Sequence, residues 1–241
     1  MKSFKKILGI AATSALALTL GAFALTGCGG GKKYTFEAEE AVLEEPEGFK
    51  ENPWFGIKAM DLEAKQDGDE DISVVGYFSI KGMTITWKVE ASADCEATLN
   101  IFGSSTKFKT VTKADGTAIE YDQTTWQPTN VTADDDVVGG IDELDAENCG
   151  VALKVNGKEA EMSGTLPGKE VTVKYAEAGG IYGMYIGGNY TAKVSLKKGE
   201  NVIVLEVVGD QGGGFNVDKM VIKSSATLTY TPVDNSDRTA T

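Results

Sequence analysis

The sequence predicts an all-β protein, and two observations carry this prediction. From residue 34 onward the chain consists of short alternating or apolar runs separated by Gly, Asn, Asp and Pro, and long runs of helical periodicity are absent. This pattern is typical of β-sandwiches and barrels. The clearest run is 84–91, where every second residue is apolar and Trp87 lies in the middle. In addition, Asn156-Gly157 is a strong hairpin-turn signal.

Residues 1–27 have the composition of a secretory signal peptide. Lys2, Lys5 and Lys6 open the chain, and an apolar run over 7–25 follows them. A basic start, an apolar stretch and small residues before a cleavage point describe such a signal. The run is also long enough for a membrane-spanning helix, which is the alternative at this point.

The end of this segment, Leu25-Thr26-Gly27-Cys28, resembles the lipobox of bacterial lipoproteins. The resemblance implies cleavage before Cys28 and attachment of lipid to its sulfur. Two or more acyl chains hold a protein stably on a bilayer, where one chain does not. The resemblance therefore implies an extracytoplasmic protein, lipid-anchored to the bacterial cell membrane, with residues 28–33 as a short tether.

Length and charge bound the rest of the chain. The 214 residues from Cys28 onward suffice for one all-β domain, which we place at 34–230, followed by a flexible tail at 231–241. Residues 1–27 carry three lysines and no acid, so their removal changes the net charge from −13 to −16. Such a chain repels nucleic acid and anionic surfaces, and we expect a monomer.

Histidine and cysteine content restricts the chemistry. The chain has no histidine, which excludes Ser-His-Asp and Cys-His mechanisms and every His-dependent metal site. Apart from Cys28, only Cys95 and Cys149 remain. They either pair in an oxidising compartment or serve as two buried structural thiols, and their positions at the start of apolar runs favour the second alternative.

The predicted strands follow one another along the domain. The opening strand is 34–41, and 104–148 is predicted to be an irregular insertion containing a hairpin, 108–111 with 118–121. A stretch this irregular inside a compact domain is usually functional or flexible. The other predicted strands are 57–62, 74–80, 84–91, 97–102, 151–155, 171–175, 191–196, 202–208, 217–222 and 227–230.

Two carboxylates lie on one face of the opening strand, opposite its aromatic residues. Glu37 and Glu39 are about 7 Å apart at this spacing, so they repel each other unless water or a cation lies between them. They form either a solvated acidic edge or part of a site for a hard cation such as calcium. If strand 217–222 neighbours the opening strand, Asp218 joins them, with Asp218, Met220 and Ile222 on the same face.

Several segments in a fixed order resemble carbohydrate-binding modules of families 6 and 35. The resemblance covers about 34–230. The segments that carry it are Glu37-Ala38-Glu39, Gly76-Tyr77-Phe78, Leu153-Lys154-Val155-Asn156-Gly157, the run 194–203 around Lys198-Gly199-Glu200-Asn201, and Asn216-Val217-Asp218. It implies a jelly-roll sandwich of two antiparallel sheets, with a structural calcium held by Glu37, Glu39 and Asp218.

The same resemblance implies a sugar site in the loops at one edge of the sandwich. An aromatic ring packs on the C–H face of a sugar, and an amide bonds its hydroxyls. By position, the amide is Asn216 and the aromatic candidates are Tyr77, Tyr182, Tyr185 and Tyr190. Trp54 and Trp126 lie in predicted loops and are further stacking candidates, whereas Trp87 is predicted to be a core residue.

Two features depart from the family pattern. Gly82 is followed by Met83, where family members often have an acid, and 104–148 is longer than usual. The insertion either extends the binding edge or covers it. Within it, Asp134-Asp135-Asp136 is either a second calcium loop or, as we favour, a solvated acidic turn.

Three functions are compatible with these residues. The first is non-catalytic binding of a polysaccharide or oligosaccharide by a membrane-anchored surface protein. The second is a protein-interaction or cell-wall-binding lipoprotein without sugar specificity, because fold alone does not separate the two. The third is a small glycoside hydrolase that uses two carboxylates. The resemblance favours the first, and we expect no catalytic residues.

Overall fold

A computed structural model of the chain describes residues 31–46, 58–62, 72–76, 78–209 and 215–235. The predicted signal peptide and Cys28 lie outside the described residues, as do Trp54 and Tyr77. Within the described residues, no helix has the length and apolar character needed to cross a bilayer.

The described chain contains seventeen β-strands and one 3-10 helix, Tyr175–Gly183. The strands are β1 Lys32–Glu37, β2 Val42–Glu44, β3 Lys58–Leu62, β4 Ile72–Gly76, β5 Thr84–Ala91, β6 Cys95–Ser105, β7 Phe108–Lys113, β8 Asp136–Ile141, β9 Leu144–Asp145, β10 Val151–Val155, β11 Lys158–Ala160, β12 Met162–Leu166, β13 Lys169–Lys174, β14 Gly188–Leu196, β15 Gly199–Val207, β16 Phe215–Ser224 and β17 Leu228–Tyr230.

Two antiparallel sheets make up the body of the protein. The larger has eight strands in the order β3-β4-β16-β6-β14-β12-β9, and β1 pairs with β16 beside β4. The smaller has six strands in the order β11-β10-β15-β5-β17, and β2 also pairs with β5. Alternate residues of both sheets form one continuous core. The predicted all-β jelly-roll sandwich of antiparallel sheets is therefore confirmed.

Large aromatic side chains fill the centre of this core. Trp87, Tyr190, Phe78 and Phe215 are all almost completely buried, which confirms the prediction that Trp87 is a core residue. The ring of Phe215 makes edge contacts with Tyr190, at 5.5 Å between centroids, and with Phe78, at 6.4 Å. Because Phe215 opens β16, these contacts fix the end of the strand that carries Asn216.

A third sheet takes two of its three strands from the segment that was predicted to be irregular. β7, β8 and β13 pair in the order β13-β8-β7, and the 3-10 helix packs on them over a separate small core. The predicted hairpin around Asp115-Gly116 forms in part, through the antiparallel bridge between Thr112 and Ala118 and the hydrogen bond from the backbone N–H of Lys113 to Thr117. As a strand, however, β7 pairs with β8 and not with 118–121. β8 was not predicted from the sequence because it contains two consecutive glycines, and glycine has a low strand propensity.

The first residues of the predicted flexible tail are held in place. The amide of Asn235 donates to the carbonyls of Glu39 and Ala41, both at 2.8 Å, and the backbone N–H of Val233 donates to Glu40. Both cysteines of the domain are free thiols, as favoured from the sequence. Cys95 contacts the Ser224 hydroxyl at 3.1 Å in the larger sheet.

In the third sheet, the backbone of β8 at Gly140 lies close to the backbone of β13 at Lys169. A Cβ atom at Gly140 would lie 2.0 Å from the carbonyl oxygen of Lys169 in β13, and φ there is +147°. We expect Gly140→Ala to lower the free energy of unfolding by about 3 kcal/mol in urea titrations. Gly157→Ala is the control, because its φ is also positive but nothing lies within 4 Å. We expect about 1 kcal/mol there, and equal losses would contradict the packing argument.

Candidate functional site

The opening and closing motifs of the domain are neighbours. β1 and β16 pair antiparallel from Lys32 opposite Ser224 to Glu37 opposite Lys219. The strand that carries Asp218 is therefore a neighbour of the opening strand, which is the arrangement required for Asp218 to lie near Glu37 and Glu39. We call Glu37, Glu39 and Asp218 the acidic cluster.

A β-bulge places the Asp218 side chain. Val217 pairs with Gly103 and Lys219 with Phe102, so Asp218 is an extra residue without a partner on β6. Its carbonyl accepts a hydrogen bond from the backbone N–H of Ala38 at 2.9 Å. Bulges re-aim side chains in this way. The sequence predicts that side chains along β16 point alternately to the two faces of the sheet. This prediction is wrong at the bulge, because the consecutive residues Val217 and Asp218 are both buried.

The acidic cluster is short of stabilising partners. Burial raises the pKa of Glu39 to about 7, and Glu37 and Asp218 add to the rise. Burial also raises the pKa of Glu37; nearby Lys219 opposes this, and Asp218 adds to it. The Oε2 atom of Glu39 is buried, and it has no hydrogen-bond partner among the residues that the structure describes. An unpartnered buried carboxylate oxygen is energetically unfavourable, and it is the kind of group that a cation would satisfy.

Lys219 supplies positive charge to this cluster. Its Nζ lies 3.1 Å from Oδ2 of Asp218. Burial alone would lower the pKa of Lys219, but Asp218, Glu37 and Glu39 outweigh it and raise the pKa. In the part of the chain that the structure describes, no three His, Cys, Asp or Glu side chains are arranged to hold a metal ion. The carboxylates would have to move closer together around a cation.

The predicted sugar edge is built where β16 begins. Asn216 is half-buried and pairs with Ser104 of β6. The buried Ser104 hydroxyl accepts a hydrogen bond from the backbone N–H of Ile186 at 2.8 Å. This bond ties the loop after the 3-10 helix to the strand opposite Asn216. Sequence reasoning missed Ser104, because it stood at the border of the segment predicted to be irregular.

The tyrosine candidates separate clearly by exposure. Tyr182 is 58% exposed and is held by an edge contact with Phe108 of β7, at 5.2 Å between ring centroids. Tyr190 is completely buried, and its hydroxyl donates to the Leu144 carbonyl at 2.9 Å. Tyr185 is 4% exposed, and burial together with Asp218 raises its pKa.

Tyr185 and Tyr190 are therefore corrected from stacking residues to packing residues. A sugar cannot reach a ring face that the core already covers. The flanking glycines suggested accessible rings, but the chain after the 3-10 helix turns Tyr185 inward, toward Asp218. Tyr182 and Asn216 stay predictions.

Trp126 is the most exposed large aromatic residue that the structure describes, at 73%. It lies at the tip of a narrow arm over 117–130, closed by the bridge between Tyr121 and Pro128. Oδ1 of Asp122 accepts bonds from the backbone N–H groups of Thr124 and Thr125, which fix the turn. The backbone φ of Trp126 is +56°, an unusual conformation for a bulky residue.

Two of the three acids in the acidic run of the insertion have local partners. Asp135 accepts the backbone N–H of Thr132 at 2.6 Å, and Asp136 forms an ion pair with Lys174 at 2.7 Å. These contacts are those of an acidic surface turn, the interpretation favoured from the sequence.

Comparison with known proteins gives a structural similarity only. No protein-family model and no curated protein matches the sequence. A family 35 carbohydrate-binding module from Abf62 of Cellvibrio japonicus is 12% identical, with a TM-score of 0.40, over 84% of this chain and 100% of that one. A native family 35 module from Clostridium thermocellum is 17% identical, with a TM-score of 0.38, over 79% and 97%.

A multidomain enzyme also matches. The GH26-CBM35 β-(1,4)-mannanase of Podospora anserina is 14% identical, with a TM-score of 0.39, and the match covers 82% of this chain but 28% of the enzyme. Similarity at this level does not assign a ligand, so function has to be argued from the site itself.

The electrostatics of the acidic cluster predict the effect of removing its lysine. We expect Lys219→Met to lower the free energy of unfolding by about 1–2 kcal/mol in a chelator-containing buffer, because the half-exposed pair is partly screened. Glu39→Gln in the same background should recover part of that loss, since it removes a repelling carboxylate. Lys88→Met is the control, because Lys88 is an exposed strand lysine for which the described part of the chain shows no ion pair. If both lysine variants unfold at the same urea concentration, the pairing contributes nothing.

Proposed function

We propose that this chain binds a polysaccharide or oligosaccharide, without catalysis, at the edge where β16 begins. The observation that carries the proposal is the exposed ring of Tyr182, held edge-on by Phe108. It lies four residues before Ile186, which is bonded to Ser104 opposite Asn216. An accessible aromatic face and a half-buried amide are the two kinds of group that recognise a sugar ring.

We also propose that the acidic cluster holds a structural calcium. The buried, unpartnered Oε2 of Glu39 supports this proposal, as do the raised pKa values of both glutamates. Glu37, Glu39 and Asp218 would be the side-chain ligands, and calcium would supply the positive charge that Lys219 only partly provides. The ion would bind β1 to β16 and so steady the edge two residues from Asp218.

Two further parts of the proposal concern location. Lipid on Cys28 would hold the domain at the outer face of the bacterial membrane, within reach of extracellular glycans. The acidic surface suits neutral sugars, because anionic polymers such as nucleic acids are repelled. The protein is proposed to act as a monomer.

Catalysis by the acidic cluster is the weaker alternative. A glutamate with a pKa of about 7 has the protonation expected of a general acid. However, its Oε2 is shielded from solvent, and a glycosidase acid must reach the oxygen of the scissile bond. An interaction protein is the other alternative, and the exposed Trp126 favours it, because tryptophan is enriched among the residues that dominate protein interfaces.

A glycan array followed by variants tests the sugar site. We expect Tyr182→Ala and Asn216→Ala each to weaken binding to the best glycan by at least about tenfold in calorimetry, because each removes one class of contact. Tyr182→Phe is the matched control, since it keeps the ring and should retain most of the affinity.

The array and its controls also separate the alternatives. Release of reducing sugar from a bound glycan would instead support catalysis. If the array shows no glycan binding, or if Tyr182→Ala binds as tightly as the unmodified protein, the proposed sugar edge is wrong.

Chelation tests the calcium. We expect EDTA to lower the melting temperature and calcium to restore it. At a hundredfold excess over Kd the gain is about 2.7 kcal/mol, or roughly 5–10 °C for a protein of this size. Glu39→Gln should abolish most of the calcium-dependent rise. A metal-free preparation that melts at the same temperature with and without calcium would rule out this site.

A further inference from the structure

Three lysines form one row across the outer face of the larger sheet. Lys33 of β1 lies opposite Lys223 of β16, and Lys223 lies opposite Thr98 of β6. On its other side, Thr98 lies opposite Lys193 of β14. All three lysines are exposed and Thr98 is half-buried. We call Lys33, Lys223, Thr98 and Lys193 the lysine row.

This row is electrostatically unusual for the protein. The chain carries 36 acids and 23 basic residues, yet within its described part none of the three lysines forms a salt bridge. Like charges directly opposite each other on neighbouring strands destabilise a sheet, as at Lys33 and Lys223. Repulsion of this kind is relieved when an anion binds between the charges.

A concave surface accompanies the row. A cavity of about 300 Å³ is lined by residues that include Gly31, Glu96, Thr98, Lys193, Lys223 and Ser224. The backbone at Gly31 crosses the end of β16 so closely that a Cβ there would lie 2.5 Å from Ser224. The chain entering β1 therefore forms one wall of the cavity.

The chemistry of the lining selects an anion. Lys193 and Lys223 are two strand spacings apart, about 10 Å between their Cα atoms, with the Thr98 hydroxyl between them. Long lysine side chains on opposite sides can both reach one group above Thr98. Glu96 is the acid in the lining, and the Ser195 hydroxyl donates to its Oε1 at 2.6 Å. Two lysines against one carboxylate leave one net positive charge in the lining, and Lys33 adds a further positive charge beside Lys223.

We propose that the lysine row binds a phosphate group, either free phosphate or the headgroup of a phospholipid. Free phosphate and phospholipid phosphodiesters are both anions near neutral pH, and lysine binds a phosphate group as a point charge. The Thr98 hydroxyl is a further donor. This site is separate from the sugar edge and the acidic cluster, so its failure would leave the proposed function intact.

The two sources share this chemistry but differ in their setting. Gly31 is three residues from Cys28, which a chain spans in at most about 11 Å. If Cys28 carries lipid, bilayer headgroups are within reach of the cavity wall. Free phosphate needs no such proximity.

Phosphate titration with charge-matched variants tests the site. The melting temperature is measured in sodium phosphate and in sodium chloride of equal ionic strength. At ten times the Kd, we expect phosphate to raise it by about 3–6 °C in the unmodified protein. The double variant K193Q/K223Q should lose this rise, whereas K88Q/K158Q, with the same charge change on exposed lysines of the smaller sheet, should keep it.

A second variant distinguishes phosphate binding from a general effect of net charge on the melting temperature. Thr98→Val keeps all three lysines but removes the hydroxyl, and we expect it to weaken phosphate binding several-fold. An equal rise in all variants would mean that phosphate acts only through salt effects on burial, and it would overturn the proposal. No rise in the unmodified protein would also overturn it.

Vesicle flotation distinguishes the two sources. Vesicles of phosphatidylcholine with phosphatidylglycerol are compared with phosphatidylcholine alone. If the unmodified protein binds the anionic vesicles, K193Q/K223Q does not bind them and K88Q/K158Q still does, the site is a headgroup site. A phosphate-dependent rise in melting temperature without vesicle binding identifies free phosphate as the ligand. Vesicle binding that survives in K193Q/K223Q would exclude the lysine row as the contact.

Discussion

The pairing of β1 with β16 around the bulge at Asp218 is the constraint on which the rest of the site depends. It joins the first strand of the domain to its penultimate strand, more than 180 residues apart in sequence. At the bulge Asp218 has no pairing partner on β6. Its carbonyl nevertheless accepts a hydrogen bond from the backbone N–H of Ala38, so this backbone group stays satisfied. What the bulge adds is a buried carboxylate next to two glutamates, and this repulsion must be offset by Lys219, by protonation of Glu39 or by a cation.

The same bulge connects the acidic cluster to the predicted sugar edge. Asp218 is two residues from Asn216 and raises the pKa of Tyr185, so the loop that carries Tyr185 lies within electrostatic reach of the cluster. The next residue, Ile186, is bonded to Ser104, the partner of Asn216. The cluster and the edge are thus connected through a few directly bonded residues. Stability at the cluster and geometry at the edge are properties of one short stretch of β16.

Much of the sandwich could be predicted from sequence because alternation along a strand reports which face is buried. The burial of Trp87 and the free thiols follow from local patterns of this kind. Three features could not be predicted. The bulge breaks alternation at one residue, the strand β8 carries two glycines, and the inward turn of Tyr185 depends on a loop folding over the core. Each is decided by contacts between distant segments, which a period of two residues does not encode.

Charge along β16 shows how an acidic protein separates two kinds of site. Near its beginning the strand contributes Asp218 to a cluster of three acids that Lys219 offsets only in part. Four residues after Lys219 it contributes Lys223 to the lysine row, in which positive charges predominate. Lys219 lies on the same face as Lys223, about 14 Å away along an extended strand, which is beyond the Debye length of about 8 Å at physiological salt. The charges of the two regions are therefore largely screened from each other. The two proposals follow this division of charge, with a cation proposed beside Asp218 at one end of β16 and a phosphate group proposed beside Lys223 at the other.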